Sequence, residues 1–220
     1  MASEITAEQV AEIEELVARA RAAAKIIENY DQARVDHLCQ AVCAALYPLK
    51  VWGGLADDAV DETHLGDKVS KRNKRNKLKL ILRDCLRQPS VGIIEENKEK
   101  GLVRYGKPVG VIGTLVPTTN PCLTPAGQII YAIKARDVLI CSPHPRAKNV
   151  TNKCIDIIRE ALVKEGAPAD IIQGIKNPSI AMSQELMKRV DLVIATGGRP
   201  MVKAAYSSGT PAFGSGAGNA

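Results

Sequence analysis

Asn120 closes an apolar run that ends between two prolines: Gly110-Val111-Ile112-Gly113-Thr114-Leu115-Val116-Pro117-Thr118-Thr119-Asn120-Pro121. A carboxamide held at such a place can donate hydrogen bonds to an oxygen on which negative charge develops. Pro117 and Pro121 stiffen the loop, so Thr118, Thr119 and Asn120 lose little entropy when they meet a ligand. An isolated Asn-Pro is more often a turn in which the side chain bonds its own backbone. The segments that follow weigh against that simpler account.

Four further segments resemble this loop. They are Ser142-Pro143-His144-Pro145, Lys176-Asn177-Pro178-Ser179, Thr196-Gly197-Gly198-Arg199 and Gly214-Ser215-Gly216-Ala217-Gly218-Asn219. Each follows a short apolar run and is rich in Gly, Pro, Ser, Thr or Asn, as expected of ligand-binding loops beyond the carboxyl ends of strands in an open α/β sheet. In Thr196-Gly197-Gly198, glycines let backbone amides approach a phosphate at the positive end of the next helix, although glycine there also serves a plain turn. The G-x-G-x-x-G fingerprint of ordinary dinucleotide sites is missing after the first strand. His144 has no carboxylate neighbour in sequence to orient it as a base, so it is expected to stack on a nucleotide or hydrogen-bond to it. Cys122 precedes a helix start, which can activate a thiol, but a packing role is the stronger expectation.

The elements that must position these loops follow from hydrophobic spacing. Val10, Ile13, Val17, Ala20, Ala24 and Ile27, then Val35, Leu38, Val42 and Leu46, predict two amphipathic helices over residues 7–48. Residues 50–66 carry turn formers and acids and read as a connection. A basic helix then runs to about Cys85, and residues 91–108 read as an extended hairpin with a polar tip at 95–101. From Val109 strands and helices alternate. Strands are expected at 109–116, 138–141, 171–175, 192–195 and 211–214. Helices are expected from Thr124, taken as an N-cap with Pro125 in first position, and over 148–165, 179–189 and 200–207. The strands are continuous apolar runs, which marks a parallel sheet covered on both faces and gives an α/β, doubly wound fold. The expected organisation is a helical segment (1–90) packed on the nucleotide domain, a hairpin (91–108), and a nucleotide-binding α/β core (109–220).

Composition narrows the classes. With 45% hydrophobic residues, one Trp and one Phe, the core must be built from Ala, Val, Ile and Leu. No run of about 18 apolar residues predicts a membrane span, and the first residues do not form a secretion signal, so a cytoplasmic protein is expected. Six scattered cysteines without a C-x-x-C or Cys/His cluster suit free thiols in a reducing compartment and give no metal site. The net charge of +6 arises mostly from Lys68-Val69-Ser70-Lys71-Arg72-Asn73-Lys74-Arg75-Asn76-Lys77-Leu78-Lys79. This run has no aromatic for base stacking, so a solvated helix face or attraction of an anionic phosphate ligand is expected rather than nucleic-acid binding.

Val116-Pro117-Thr118-Thr119-Asn120-Pro121, Ser142-Pro143-His144-Pro145-Arg146-Ala147-Lys148-Asn149, Ala195-Thr196-Gly197-Gly198 and Gly216-Ala217-Gly218-Asn219 resemble, in that order, the aldehyde dehydrogenase superfamily, and more narrowly its CoA-acylating branch. The resemblance covers about residues 90–220 and, weakly, the N-terminal helices. It implies a Rossmann-like nucleotide domain and a reaction in which a Cys thiolate attacks an aldehyde, hydride passes to the nicotinamide, and CoA releases the acyl group. It implies that Asn120 is the oxyanion donor. It places the cofactor against Pro117, Thr118, Thr119, Ser142, Pro143, His144, Thr196, Gly197, Gly198, Val202 and Gly216.

Two departures refine the resemblance. Hydrolytic members carry a water-activating Glu at a position that corresponds here to Ser215 or a direct neighbour, and no carboxylate occurs between Asp191 and Ala220. A site without that base favours a thiol acceptor over water. The family's nucleophilic Cys follows the Gly-Ala-Gly-Asn segment by some tens of residues, and none of the six cysteines matches it. The chain is therefore expected to be the cofactor-binding portion of a longer enzyme, binding nucleotide and inactive alone. NAD is the expected cofactor, with NADP open because Arg146 and Lys148 could tolerate a 2′-phosphate; CoA and a small aldehyde are the expected substrates, and a homo-oligomer is the expected assembly. The competing expectation is a stand-alone nucleotide- or CoA-binding module without catalysis.

Overall fold

A computed structural model describes residues 4–216. The chain begins with five helices: α1 (Ala7–Ile27), α2 (Gln32–Leu46), α3 (Leu49–Thr63), α4 (Lys68–Asn73) and α5 (Arg75–Leu86). A two-stranded antiparallel hairpin follows, β1 (Gly92–Asn97) with β2 (Leu102–Gly106). The remainder alternates as β3 (Val111–Val116), α6 (Leu123–Ala135), β4 (Val138–Pro143), α7 (Lys148–Lys164), β5 (Ile172–Gly174), α8 (Ile180–Arg189), β6 (Leu192–Thr196), α9 (Arg199–Tyr206) and β7 (Ala212–Ser215). All neighbouring strands of the larger sheet are parallel, in the order β5-β4-β3-β6-β7. Helices α6 and α7 cover one face, with α2, α3 and α5 packed outside them, and α1, α8 and α9 cover the other.

The doubly wound α/β expectation holds, and the reason lies in β3 and β4, whose every residue is buried. The chain moves from β3 outward to β5 and then returns to the other side of β3, so the direction of winding reverses between β3 and β6. Ligands of open α/β sheets bind at such a reversal, outside the carboxyl ends. At the opposite edge Asp137 accepts from the N–H groups of Val109 (2.6 Å) and Gly110 (2.8 Å), and Asp191 accepts from Val111 (2.8 Å). Arg21 of α1 grips Asp191 with both terminal nitrogens, at 3.0 and 3.1 Å. These carboxylates anchor the start of β3.

Three local expectations are corrected. Residues 50–66 are not a connection, since α3 occupies most of them. Trp52, Leu55, Ala56, Ala59 and Thr63 form its buried stripe, and this packing outweighs the helix-weakening Gly53 and Gly54. The basic segment is two helices, because Leu78 and Cys85 face the core from α5 while only Lys71 is buried from α4. Helix α6 starts at Leu123 with Cys122 at the cap and no side-chain cap bond, so Pro125 lies in its first turn and Thr124 is not the N-cap. The hairpin forms as expected and leaves Ile93, Leu102, Val103 and Tyr105 exposed.

Candidate functional site

Register brings the loops of interest to one edge. Val116 pairs with Pro143 and Leu115 with Ala195, so the segments after β3, β4 and β6 leave the sheet side by side. The His144 N–H donates to the Val116 carbonyl at 3.1 Å, and that of Gly197 to the Ser215 carbonyl at 3.0 Å, which ties the strand ends in two pairs, β3 with β4 and β6 with β7. Val202 lies over β7: a Cβ placed on Gly216 would stand 4.0 Å from its Cγ2, and one on Gly214 would stand 2.6 Å from its Cγ1. Gly214 is thus required by the close seat of α9. Ala217, Gly218 and Asn219 of the last segment lie outside the described residues.

The N-termini along this edge are not equivalent. Helix α7 is closed by Glu62 from the end of α3, whose two carboxylate oxygens accept from the N–H groups of Asn149 (2.9 Å) and Val150 (2.7 Å). Helix α8 is closed by its own Ser179, which accepts from Met182 at 3.1 Å. Helix α9 begins at Gly198 with no side-chain cap, and Pro200 lacks an N–H. Among the described residues the N–H groups of Gly198 and Arg199 have no partner. They lie at the positive end of the helix, directly after β6, as an anion site requires.

Asn120 is half-buried and makes no local side-chain turn. Its Oδ1 accepts from Lys74 Nζ, and the Thr119 carbonyl accepts from Lys71 Nζ at 2.9 Å. A cavity of about 20 Å³, the size of one water, lies beside it between Trp52, Lys71, Lys74 and Pro121. A larger groove of about 480 Å³ runs between α3 and α4, lined by Gly53, Asp57, Val69 and Arg72; helical spacing puts it on the side of α4 away from Lys71 and Lys74.

Other residues of interest have more settled roles. His144 Nδ1 accepts from the Arg146 N–H at 3.1 Å, which puts the proton of the neutral ring on Nε2. Burial, then the nearby Arg146, lowers its pKa, so the ring is neutral at pH 7. Ser142 faces α8: its Oγ lies 2.8 Å from Ser183 Oγ. Pro117 and Pro143 are buried, Thr118 and Thr196 half-buried, and Thr119 and Gly198 exposed. Arg146 donates to the Thr63 carbonyl (3.1 Å) and Lys148 to Asn177 Oδ1 (2.8 Å). All six cysteines are buried and free. Burial pushes the Cys39 thiol up to about 12 and raises Cys43, Cys85 and Cys141 as well, which disfavours the thiolate a nucleophile needs. Sequence reasoning missed Glu62, Lys71 and Lys74.

Residues 76–213 match the family described as "Aldehyde dehydrogenase family". The chain is 48% identical over 206 residues to a sulfoacetaldehyde dehydrogenase of an Acholeplasma species, which covers 92% of this chain and 42% of that protein. It superposes on an acetylating aldehyde dehydrogenase from Geobacillus thermoglucosidasius with a TM-score of 0.92 and 35% identity, covering 96% of this chain and 47% of that one. A propionaldehyde dehydrogenase from Rhodopseudomonas palustris with bound propionyl-CoA gives a TM-score of 0.81 at 27% identity, covering 94% and 46%. The chain therefore spans less than half the length of these relatives.

Proposed function

The chain is a member of the aldehyde dehydrogenase family, and on that premise we propose that it forms the nicotinamide-nucleotide-binding part of a CoA-acylating aldehyde dehydrogenase, which turns an aldehyde, CoA and NAD into an acyl-CoA and NADH. The observation that carries this reading is the open N-terminus of α9 at the strand edge, beside the reversal between β3 and β6. It fits a pyrophosphate where Glu62 and Ser179 have closed the ends of α7 and α8. Gly197 and Gly198 would hold that group, with Thr196, Val202 and Gly216 around it and Pro117, Thr118, Thr119, Ser142, Pro143 and His144 on the neighbouring strand ends. When bound, the nicotinamide supplies the hydride acceptor. The Nδ2 hydrogens of Asn120 would donate to the aldehyde oxygen as it gains charge. No carboxylate stands between Asp191 and Ala220 to activate water, which favours CoA as the acyl acceptor.

With all six cysteines buried, we place the nucleophile in the part of the relatives that this chain does not span. The 220-residue chain then forms no NADH from aldehyde and CoA. Residues 109–220 act as the nucleotide unit with residues 1–90 packed on it, and the hairpin at 91–108 pairs between copies in a homo-oligomer. The free thiols suit a reducing cytoplasm. Calorimetric titration of the chain with NAD, NADP and CoA tests the reading. Saturable NAD binding, tighter than NADP, is expected. Tighter NADP binding reverses the choice of cofactor, binding of CoA alone points to a CoA module, and no binding of any of the three removes the proposal.

A further inference from the structure

The basic run of residues 68–79 is not used by a nucleotide site on the strand edge, and three of its seven charges have plain partners. Lys68 pairs with Asp61 at 2.9 Å, Arg72 pairs with Asp57, and Arg75 lies over the Tyr47 ring, 5.0 Å from its centre. Lys71 and Lys74 form no salt bridge among the described residues and instead both reach the loop after β3. Lys71 is 7% exposed and donates to the Thr119 carbonyl; Lys74 donates to Asn120 Oδ1. The backbone from which both reach is fixed by Trp52, whose Nε1 donates to the Lys71 carbonyl at 3.1 Å. Burial pushes both ammoniums below the ordinary lysine range, with Lys74 adding to the effect on Lys71 and Lys77 to that on Lys74.

An ammonium can only donate. The oxygen of the Asn120 carboxamide must therefore face Lys74, and its two N–H donors must point away from α4. A cation bound to the oxygen also draws electron density from the nitrogen and strengthens those donors. We propose that Lys74 is a positioning residue for Asn120: it fixes which end of the carboxamide serves the site, while Lys71 holds the carbonyl one residue earlier. This rests on the reading of Asn120 as an oxyanion donor. It gives two charges of the basic run a task within the site.

The test is the side-chain amide signal of Asn120 in the ¹⁵N-labelled chain, assigned by its loss in Asn120→Asp. The titratable groups near Lys74 are Lys71 and Lys77 on its own segment, and Cys122, just before α6, lines the same small cavity as Lys71 and Lys74. The Asn120 amide pair is expected to shift as pH rises through a range below that of ordinary lysine. Lys74→Met should move the pair and abolish this titration, Lys74→Arg should keep the position without the titration, and Lys77→Met should keep the position and move the titration to higher pH. An unmoved pair in Lys74→Met, or a titration that persists there, overturns the proposal. If Lys74→Met does not fold, the wild-type titration and its absence in Lys74→Arg decide. Cofactor titration of the wild-type chain judges the nucleotide reading separately, and its failure would leave this amide signal unaffected.

Discussion

Helices α7 and α9 leave the same edge of the sheet after β4 and β6, the strands on either side of β3, and each points a positive N-terminus along it. At α7 the carboxylate of Glu62, delivered from α3, occupies two of the first N–H groups. At α9 no side chain caps the start, and Gly198 leaves room there. The helix dipole is common to both. Whether a helix end is an anion site is therefore settled by what the surrounding elements place upon it. Here α3 closes the end of α7 through Glu62 and leaves that of α9.

The largest expected effect concerns a carboxylate that closes strand rather than helix donors. Asp137 holds two N–H groups at the start of β3, and burial raises its pKa from 3.8 to about 6. The fold favours its neutral form, so this stability is fully present below 3.8 and lost as pH rises through about 6. At about 1.4 kcal/mol per unit the loss is at most about 3 kcal/mol. Asp137→Asn keeps an acceptor oxygen and should flatten denaturation midpoints measured from pH 4 to 7. An unchanged slope would mean that closing backbone donors with a buried carboxylate has no pH cost, and Glu62 would lose its parallel.

Glu62→Ala should cost about 2 kcal/mol in urea denaturation, because two charge-assisted bonds are lost. Inorganic phosphate should restore part of that stability in the variant and little in the wild type. Equal phosphate effects would break the contrast between the two helix ends. Gly214→Ala should cost roughly 1–2 kcal/mol, since the new methyl meets Val202 and the Tyr206 ring at 2.6 and 2.8 Å, and it should weaken NAD by unseating α9. Gly198→Pro sharpens the contrast most cleanly. The backbone there already has φ −70°, so proline removes one open N–H with little strain. About tenfold weaker NAD binding by calorimetry is expected, with an unchanged melting temperature. Undiminished binding would remove α9 as the phosphate seat.

The sheet was legible because β3 and β4 are buried on both faces and read as unbroken apolar runs. The turn-rich loops at their ends pointed to the edge where Pro117–Asn120, Pro143–His144 and Thr196–Gly198 meet. Helix α3 was obscured by Gly53, Gly54 and its acids, although Trp52, Leu55, Ala56 and Ala59 carried the helical spacing. The roles of Glu62 and Lys74 had no local signal, since their partners are 87 and 46 residues away in the chain. Ser142 illustrates the opposite case: its place at a strand end was clear, but the direction of its hydroxyl depends on Ser183 of α8.

Glu62 can also be viewed as a ligand that the chain carries with it. An anion tethered within reach of two N–H donors has an effective concentration in the millimolar range or above. Free phosphate or a nucleotide must outcompete it at every encounter, whatever the solution holds. On the proposed reading, removing the carboxylate at position 62 opens a second helix end to phosphate, so the number of bound anions should rise before any affinity changes.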